Sequence, residues 1–368
     1  MALGLAETAG ITRLADLTGL DCLGVRVFQA VRPWGRSLSV HQGKGFTQTS
    51  AMIGALMEAI ESDRAETYEG DRRLCAFADI DPIERAPMLL DFAHDRRALV
   101  DESAPVAWVA TRRPGDGRPL WAPFDAVSAD YSRPADAWVD RSSNGLGARF
   151  DDESAGLKAI VEVIERDADL AWRGASLRIR SQTQVDETSI SGDWFQDFLD
   201  RARSRGVVVS VHRIPAIIPL MVFVCELFEP GAGPVARRRA SGTGCGFTAE
   251  MALSAAVLEA AQSRLTAISG ARDDLPTFDP GAPVGLGLGL PHSEGARLEQ
   301  WEAIRAAPAR PPHATVVGLA DALAEAGYPD VGLVDLAPIG QAARVIKAFA
   351  PGLGGLSRTR RPPLSRSS

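Results

Sequence analysis

Three helix-length stretches of this chain each carry a glutamate followed three residues later by a glutamate or glutamine, and strand-like segments separate them. Residues 25–40 read as strand-forming segments broken at Arg32-Pro33-Trp34-Gly35, ending in His41-Gln42-Gly43-Lys44-Gly45. A helix follows, with Met52, Ile53, Leu56, Met57 and Ile60 on one stripe, continuing to about residue 68. The second helix spans about 152–172, with Leu157, Ile160, Val161, Ile164, Ala168 and Ala171 facing inward. Strands are expected at 207–214 and 220–228, both rich in β-branched and aromatic residues. The glycine loop Gly242-Thr243-Gly244-Cys245-Gly246 then precedes a third helix at about 248–269. Strands alternating with helices three times predict an α/β (α+β) fold with mixed sheets.

Shorter strands are expected at 106–111, 120–124 and 137–140. Beyond the third helix lie a Gly- and Pro-dense loop or lid at 276–295, a helix near 316–326, and strands near 331–336 and 344–350. No domain linker interrupts this order. The simplest division is an N-terminal extension at 1–24, one domain at 25–356, and a basic, disordered Pro- and Ser-rich tail at 357–368.

Each helix carries E-x-x-E/Q: Glu58-Ala59-Ile60-Glu61, Glu162-Val163-Ile164-Glu165 and Glu259-Ala260-Ala261-Gln262. A spacing of three places both side chains on one helical face, where two oxygens can converge on a hard cation. Such pairs are common on solvated helix surfaces. Here Gly54 and Ser50, a turn earlier on the first helix, leave room for a ligand, and Glu165 falls at the border of an apolar stripe. Magnesium on a triphosphate takes one or two carboxylates, so several pairs facing one space suit two ions. Gly43-Lys44-Gly45 can bring backbone N–H groups and an ammonium to a phosphate, although it lacks the Walker A spacing.

The remaining chemistry is limited. With 40 Lys plus Arg against 47 Asp plus Glu, the net charge of −7 gives no case for nucleic acid or an anionic membrane. No apolar run is long enough to span a bilayer and no secretory signal is present, which predicts a cytoplasmic protein. Four scattered cysteines form no C-x-x-C pair, and no G-x-S-x-G or H-E-x-x-H motif occurs.

Taken in order, Gly43-Lys44-Gly45 with Glu58 and Glu61, Ser143-Asn144-Gly145 with Glu162 and Glu165-Arg166-Asp167, and Gly242-x-Gly with Glu259, Gln262 and Arg264 resemble the YcaO family. The resemblance runs from about residue 32 to 353. Arg32-Pro33, the segment 37–40 and the segment 262–274 resemble the subgroup encoded beside TfuA-type proteins. It implies a YcaO-type fold with three helices at an ATP site, and ATP with Mg2+ as cofactors. It further implies a peptide or protein substrate, a TfuA-type partner and a homodimer. By motif, Lys44, Asn144, Arg166, Gln262 and Arg264 are expected to contact ATP, while Glu58, Glu61, Glu162, Glu165 and Glu259 bind magnesium or orient the nucleotide. Glu61, Glu162, Glu165 and Glu259 are the expected metal ligands, and Glu165 and Arg166 the catalytic pair.

The family phosphorylates a backbone amide oxygen after a nucleophile adds to the amide carbon. A side-chain nucleophile gives an azoline, and sulfide gives a thioamide. The chain departs from the family pattern at Arg149, Phe150 and Ser154, where either Glu153 substitutes by a one-residue shift or one magnesium or ribose contact is missing. It also has Arg361-Pro362-Pro363-Leu364 in place of a Pro-x-Pro-x-Pro ending, which favours thioamidation over azoline formation. A non-catalytic docking protein is the reading of another class.

Overall fold

The computed structural model describes residues 4, 6–7, 9–86, 101–134, 141–230, 239–270, 298–306, 312–337 and 341–354. Strands β1 (Arg13–Asp16), β2 (Arg26–Val31) and β3 (Val40–Gly45) form one antiparallel sheet, in the order β1-β2-β3. Helix α1 (Gln48–Glu66) follows directly. A second sheet has the order β4-β5-β11-β12-β7, with β6 paired to β5. Its strands are β4 (Arg73–Cys75), β5 (Val106–Arg112), β6 (Pro119–Pro123), β7 (Leu146–Arg149), β11 (Gly332–Asp335) and β12 (Arg344–Phe349). Helix α2 (Asp152–Arg173) leaves β7, and α3 (Asp193–Ser204) leads to the third sheet, β8 (Val208–Arg213), β9 (Met221–Phe228) and β10 (Arg239–Gly246). Helices α4 (Ala249–Ser269) and α5 (Val316–Glu325) complete the main elements.

The three acidic helices belong to one repeated unit. In each, a strand at the edge of its own sheet turns through two residues, Phe46-Thr47, Phe150-Asp151 or Phe247-Thr248, into a helix. The second turn residue is the N-cap: Thr47, Asp151 and Thr248 accept from the N–H groups of Ser50, Ser154 and Met251. The units superpose in sequence without a gap, so Gly43, Gly147 and Gly244 are equivalent, as are Glu58, Glu162 and Glu259.

The glycines expected in loops lie in strands β3 and β10, which corrects that expectation. Their purpose is close approach of a helix to a strand. A Cβ on Gly43 would fall 1.9 Å from the Ala55 nitrogen and 2.2 Å from the Ala51 oxygen. On Gly147 it would fall 2.3 Å from the Ala155 oxygen and 2.8 Å from the Ala159 nitrogen, and on Gly244 2.2 Å from the Ala252 oxygen and 2.4 Å from the Ala256 nitrogen. Each glycine therefore meets alanines at equivalent places on its own helix. On α1 the buried face includes Ala51, Ala55 and Ala59, whereas Ile53 of the expected stripe is exposed. Ala171 of the second stripe is exposed too. Gly54 does not open space for a ligand, because it faces the backbone of Gly43, and Ser50 completes the capping box of α1.

The N-terminal residues are more than an appendage: β1 pairs with β2, and Asp21 accepts a hydrogen bond from Arg264. The strand expected at 137–140, the lid at 276–295 and the tail at 357–368 lie outside the described residues. No helix among the described residues is long and apolar enough to cross a membrane.

Gly147→Ala and Gly244→Ala should each destabilise the chain by about 1–3 kcal/mol or more, because helix backbone must move to admit the methyl group. Gly19→Ala, where nothing lies within 4 Å of the added carbon, should leave the urea midpoint nearly unchanged.

Candidate nucleotide site

The three acidic helices meet around two adjoining cavities of about 670 and 560 Å3, each in the size range of small-molecule sites. Lys44, Glu58, Ser62, Ser143, Leu146, Arg166 and Glu259 line both and so form the passage between them. The larger chamber extends past His41, Gln42, Tyr131 and Gln262. The smaller extends past Glu61, Lys158, Glu162 and Glu165 to an apolar wall of Leu157, Val161, Phe247 and Met251.

The second member of each acidic pair has a structural task. The Ala148 N–H on β7 donates to Glu61 Oε1 at 2.6 Å, and the Cys245 N–H on β10 donates to Glu165 Oε2 at 2.9 Å. Gln262 Nε2 in turn donates to the Gln42 carbonyl on β3 at 2.7 Å. Each helix is thus fastened to the edge strand of the next unit, and the third closes the ring on the first. The glutamine of the third pair is required by this geometry, since a carbonyl accepts and a carboxylate cannot donate to it.

Of the first members, Glu58 and Glu259 line the passage and Glu162 lines the smaller chamber beside it. Lys44 Nζ donates to Glu259 at 2.9 Å, and Lys158 Nζ donates to Glu61 at 2.6 Å with Glu162 at 3.9 Å. Burial and neighbouring carboxylates raise Glu58, and burial raises Glu61 and Glu162. Glu165 is pushed up to about 8 by burial and by Glu259 and Glu162. Burial also pushes Glu259 up, but Lys44 and Arg166 outweigh it and leave the group below the usual carboxylate value. Such a crowd of buried carboxylates, most of them with raised pKa, favours the arrival of cationic charge.

Ten residues were expected to make this site. Lys44, Glu58, Glu61, Glu162, Glu165, Arg166, Glu259 and Gln262 line the cavities. Asn144 sits in the adjacent turn, with both side-chain polar atoms buried and without a hydrogen-bond partner among the described residues. Arg264 is the correction: it is absent from both linings and is held by Asp21 at 2.9 Å and Glu229 at 2.5 Å. Its place on the helix, two residues after Gln262, turns it toward the N-terminal segment. Glu153 does not replace the missing acid at Ser154 either, since it accepts from the Val316 N–H at the start of α5 at 2.6 Å.

Two lysines were missed. Lys158 stands inside the carboxylate group, and its position one turn before Glu162 on the same helical face was the available signal. Lys347 is buried on β12 and donates to the carbonyls of Ser142 and Asn144, each at 2.6 Å, holding the turn beside the cavity. Burial lowers it to about 8. Nothing local in the sequence marks it, because β12 is brought there by strand pairing.

The family model described as YcaO cyclodehydratase, ATP- and Mg2+-binding, matches residues 42–354. The chain belongs to the YcaO family. An uncharacterized protein of Mycobacterium tuberculosis is 32% identical over 276 residues, covering 73% of this chain and 60% of that protein. An uncharacterized protein in the tfuA 3′ region of Rhizobium leguminosarum bv. trifolii is 29% identical over 357 residues, covering 94% and 84%. The structure of YcaO from Methanopyrus kandleri bound with AMPPCP and Mg2+ has the same fold, with a TM-score of 0.73, 19% identity, and coverage of 99% of this chain and 92% of that one.

ATP and Mg2+ are the cofactors of this YcaO protein, and the residues fit them. Asn144 has unspent polar atoms, Lys44 and Arg166 supply positive charge, and the carboxylates supply hard oxygen ligands. Among the described residues no three His, Cys, Asp or Glu side chains converge closely enough to hold a metal alone, so nucleotide oxygens and waters would have to complete the shell.

The raised Glu165 carboxyl has a measurable consequence. Between 4.5 and about 8 the folded chain holds a proton on Glu165 that the unfolded chain has released, so this stabilisation is present at low pH and lost as pH rises through about 8. In the absence of nucleotide and metal, the denaturation midpoint should fall from pH 6 to pH 9. Glu165→Gln, which keeps an acceptor for the Cys245 N–H, should flatten that fall.

Proposed function

We propose that this YcaO protein uses ATP and Mg2+ to activate a peptide-backbone amide oxygen, and that with a TfuA-type partner it converts the amide to a thioamide. The observation that carries the reading is the passage of opposed charge between two chambers, one polar and one with an apolar wall. The larger chamber suits the nucleotide, with Gln262 and Asn144 as polar partners. The smaller suits the peptide, whose backbone then meets the passage while Leu157, Val161, Phe247 and Met251 exclude water. Bound ATP supplies the phosphoryl group that turns a poor leaving oxygen into phosphate.

The chain's own residues position and neutralise. Lys44 and Arg166 lie at the passage, where charge grows as the phosphoryl group moves. Glu165 and Glu259 would hold magnesium, and Glu165, fastened to the β10 backbone through one oxygen, lines the smaller chamber. Arg166 follows Glu165 on the same turn of α2 and delivers its guanidinium to both chambers. The relative from the tfuA 3′ region, which matches 94% of this chain and 84% of its own length, supports the sulfur-transfer reading. The cyclodehydratase description of the family supports azoline formation as the second reading.

Incubating the protein with a TfuA-type partner, a precursor peptide, ATP, Mg2+ and sulfide should give a product in which sulfur has replaced oxygen. Loss of water without sulfur gain would assign the azoline reaction instead. Arg166→Met should lower peptide-stimulated phosphate release by about 10²-fold or more, in line with removal of a preorganised charge at a reacting centre. Phosphate release that ignores both peptide and this substitution would overturn the enzymatic reading in favour of a docking protein.

A further inference from the structure

The repeat pairs the second residue of each E-x-x-E/Q with the first of the next helix. Glu61 and Glu162 meet about Lys158, Glu165 and Glu259 act electrostatically on each other, and Gln262 and Glu58 line the larger chamber together. The residue four positions before the first glutamate differs among them. On α1 it is Gly54, on α4 it is Ala255, and on α2 alone it is a lysine, Lys158. The equivalence is geometric as well, since a Cβ on Gly147 would meet the Lys158 Cβ at 3.2 Å and one on Gly244 would meet the Ala255 Cβ at 2.8 Å.

Resting on the nucleotide reading above, we infer that Lys158 is a resident cation of this site: its ammonium occupies the Glu61–Glu162 corner in place of a divalent ion, leaving the Glu165–Glu259 corner to the metal. The ammonium has the all-oxygen surroundings of a hard cation, with Glu61 Oε1 at 2.6 Å, the Leu146 carbonyl at 3.3 Å and Glu162 Oε2 at 3.9 Å. Glu61 Oε1 is already shared between that ammonium and the Ala148 N–H. Burial pushes Lys158 down, but Glu61, Glu162 and Glu58 reverse this and keep it charged.

At the Glu165–Glu259 corner the equivalent side chain is the methyl group of Ala255, which cannot supply charge. There Lys44 reaches Glu259 from β3, and Glu165 is left lining the cavity with its acidity suppressed by burial and by other carboxylates. Ser154, one turn before Lys158, also lines this chamber, so the α2 wall presents an ammonium and a hydroxyl where a further carboxylate would have called for another metal ion.

Counting bound Mn2+ by electron paramagnetic resonance at saturating non-hydrolysable ATP analogue tests this. Lys158→Met should bind one more Mn2+ per chain than the wild type, and Lys158→Arg the wild-type number. In the unsubstituted background Glu61→Gln, which retains an acceptor for Ala148, should leave the count unchanged, whereas Glu259→Gln should lower it by one. Equal counts for wild type and Lys158→Met, or loss of an ion in Glu61→Gln, would overturn the inference while leaving nucleotide binding intact. Absence of analogue-dependent Mn2+ uptake by the wild type would instead overturn the nucleotide reading and this one together.

Discussion

The backbone of an edge strand has one row of N–H and C=O groups with no neighbouring strand to meet them, and burying that row without partners is costly. Three such edges, β3, β7 and β10, turn inward in this protein. Glu61, Glu165 and Gln262 each take one group from the edge of the next unit, so the ring of three helices exists because three edges need side-chain partners. The cavity is what remains at the centre once each helix has been fastened to its neighbour.

That arrangement gathers carboxylates where solvent is scarce. Burying them is tolerable only if opposite charge or protons accompany them. Lys44, Lys158 and Arg166 provide the first, and the same burial raises the pKa of Glu58, Glu61, Glu162 and Glu165. A nucleotide with its metal changes that balance by delivering cations to oxygens already oriented by backbone hydrogen bonds. In the reaction proposed above, preorganisation of this kind would let the protein hold a phosphoryl group without rearranging its own dipoles.

Much of this was legible in the residues. The helices fell close to where the apolar periodicity placed them, and strands near 106–112, 208–213, 221–228 and 344–349 matched β-rich runs. The glycines misled, because glycine serves a loop and a close-packed strand equally well from a local view. The deciding signal was the alanines: Ala51 and Ala55, Ala155 and Ala159, and Ala252 and Ala256 stand at matching distances after Gly43, Gly147 and Gly244. Arg264 was misplaced for a related reason. Motif spacing locates a residue along a helix, but Asp21, far away in sequence, decides where its guanidinium goes.

The sequence by itself determined the family, the three acidic helices and the charged side chains that line the passage, because helical spacing is a local property and survives without the rest of the molecule. Tertiary structure alone decided what those side chains do. Whether Glu61 is given to a metal or to Ala148 and Lys158, whether Glu153 faces the cavity or caps α5, and whether Lys347 holds the turn at Asn144 all depend on which edge strand or helix end arrives beside them. Hydrogen bonds and ion pairs act only over a few ångströms, so their partners are set by the packing of glycine-bearing strands on alanine-faced helices.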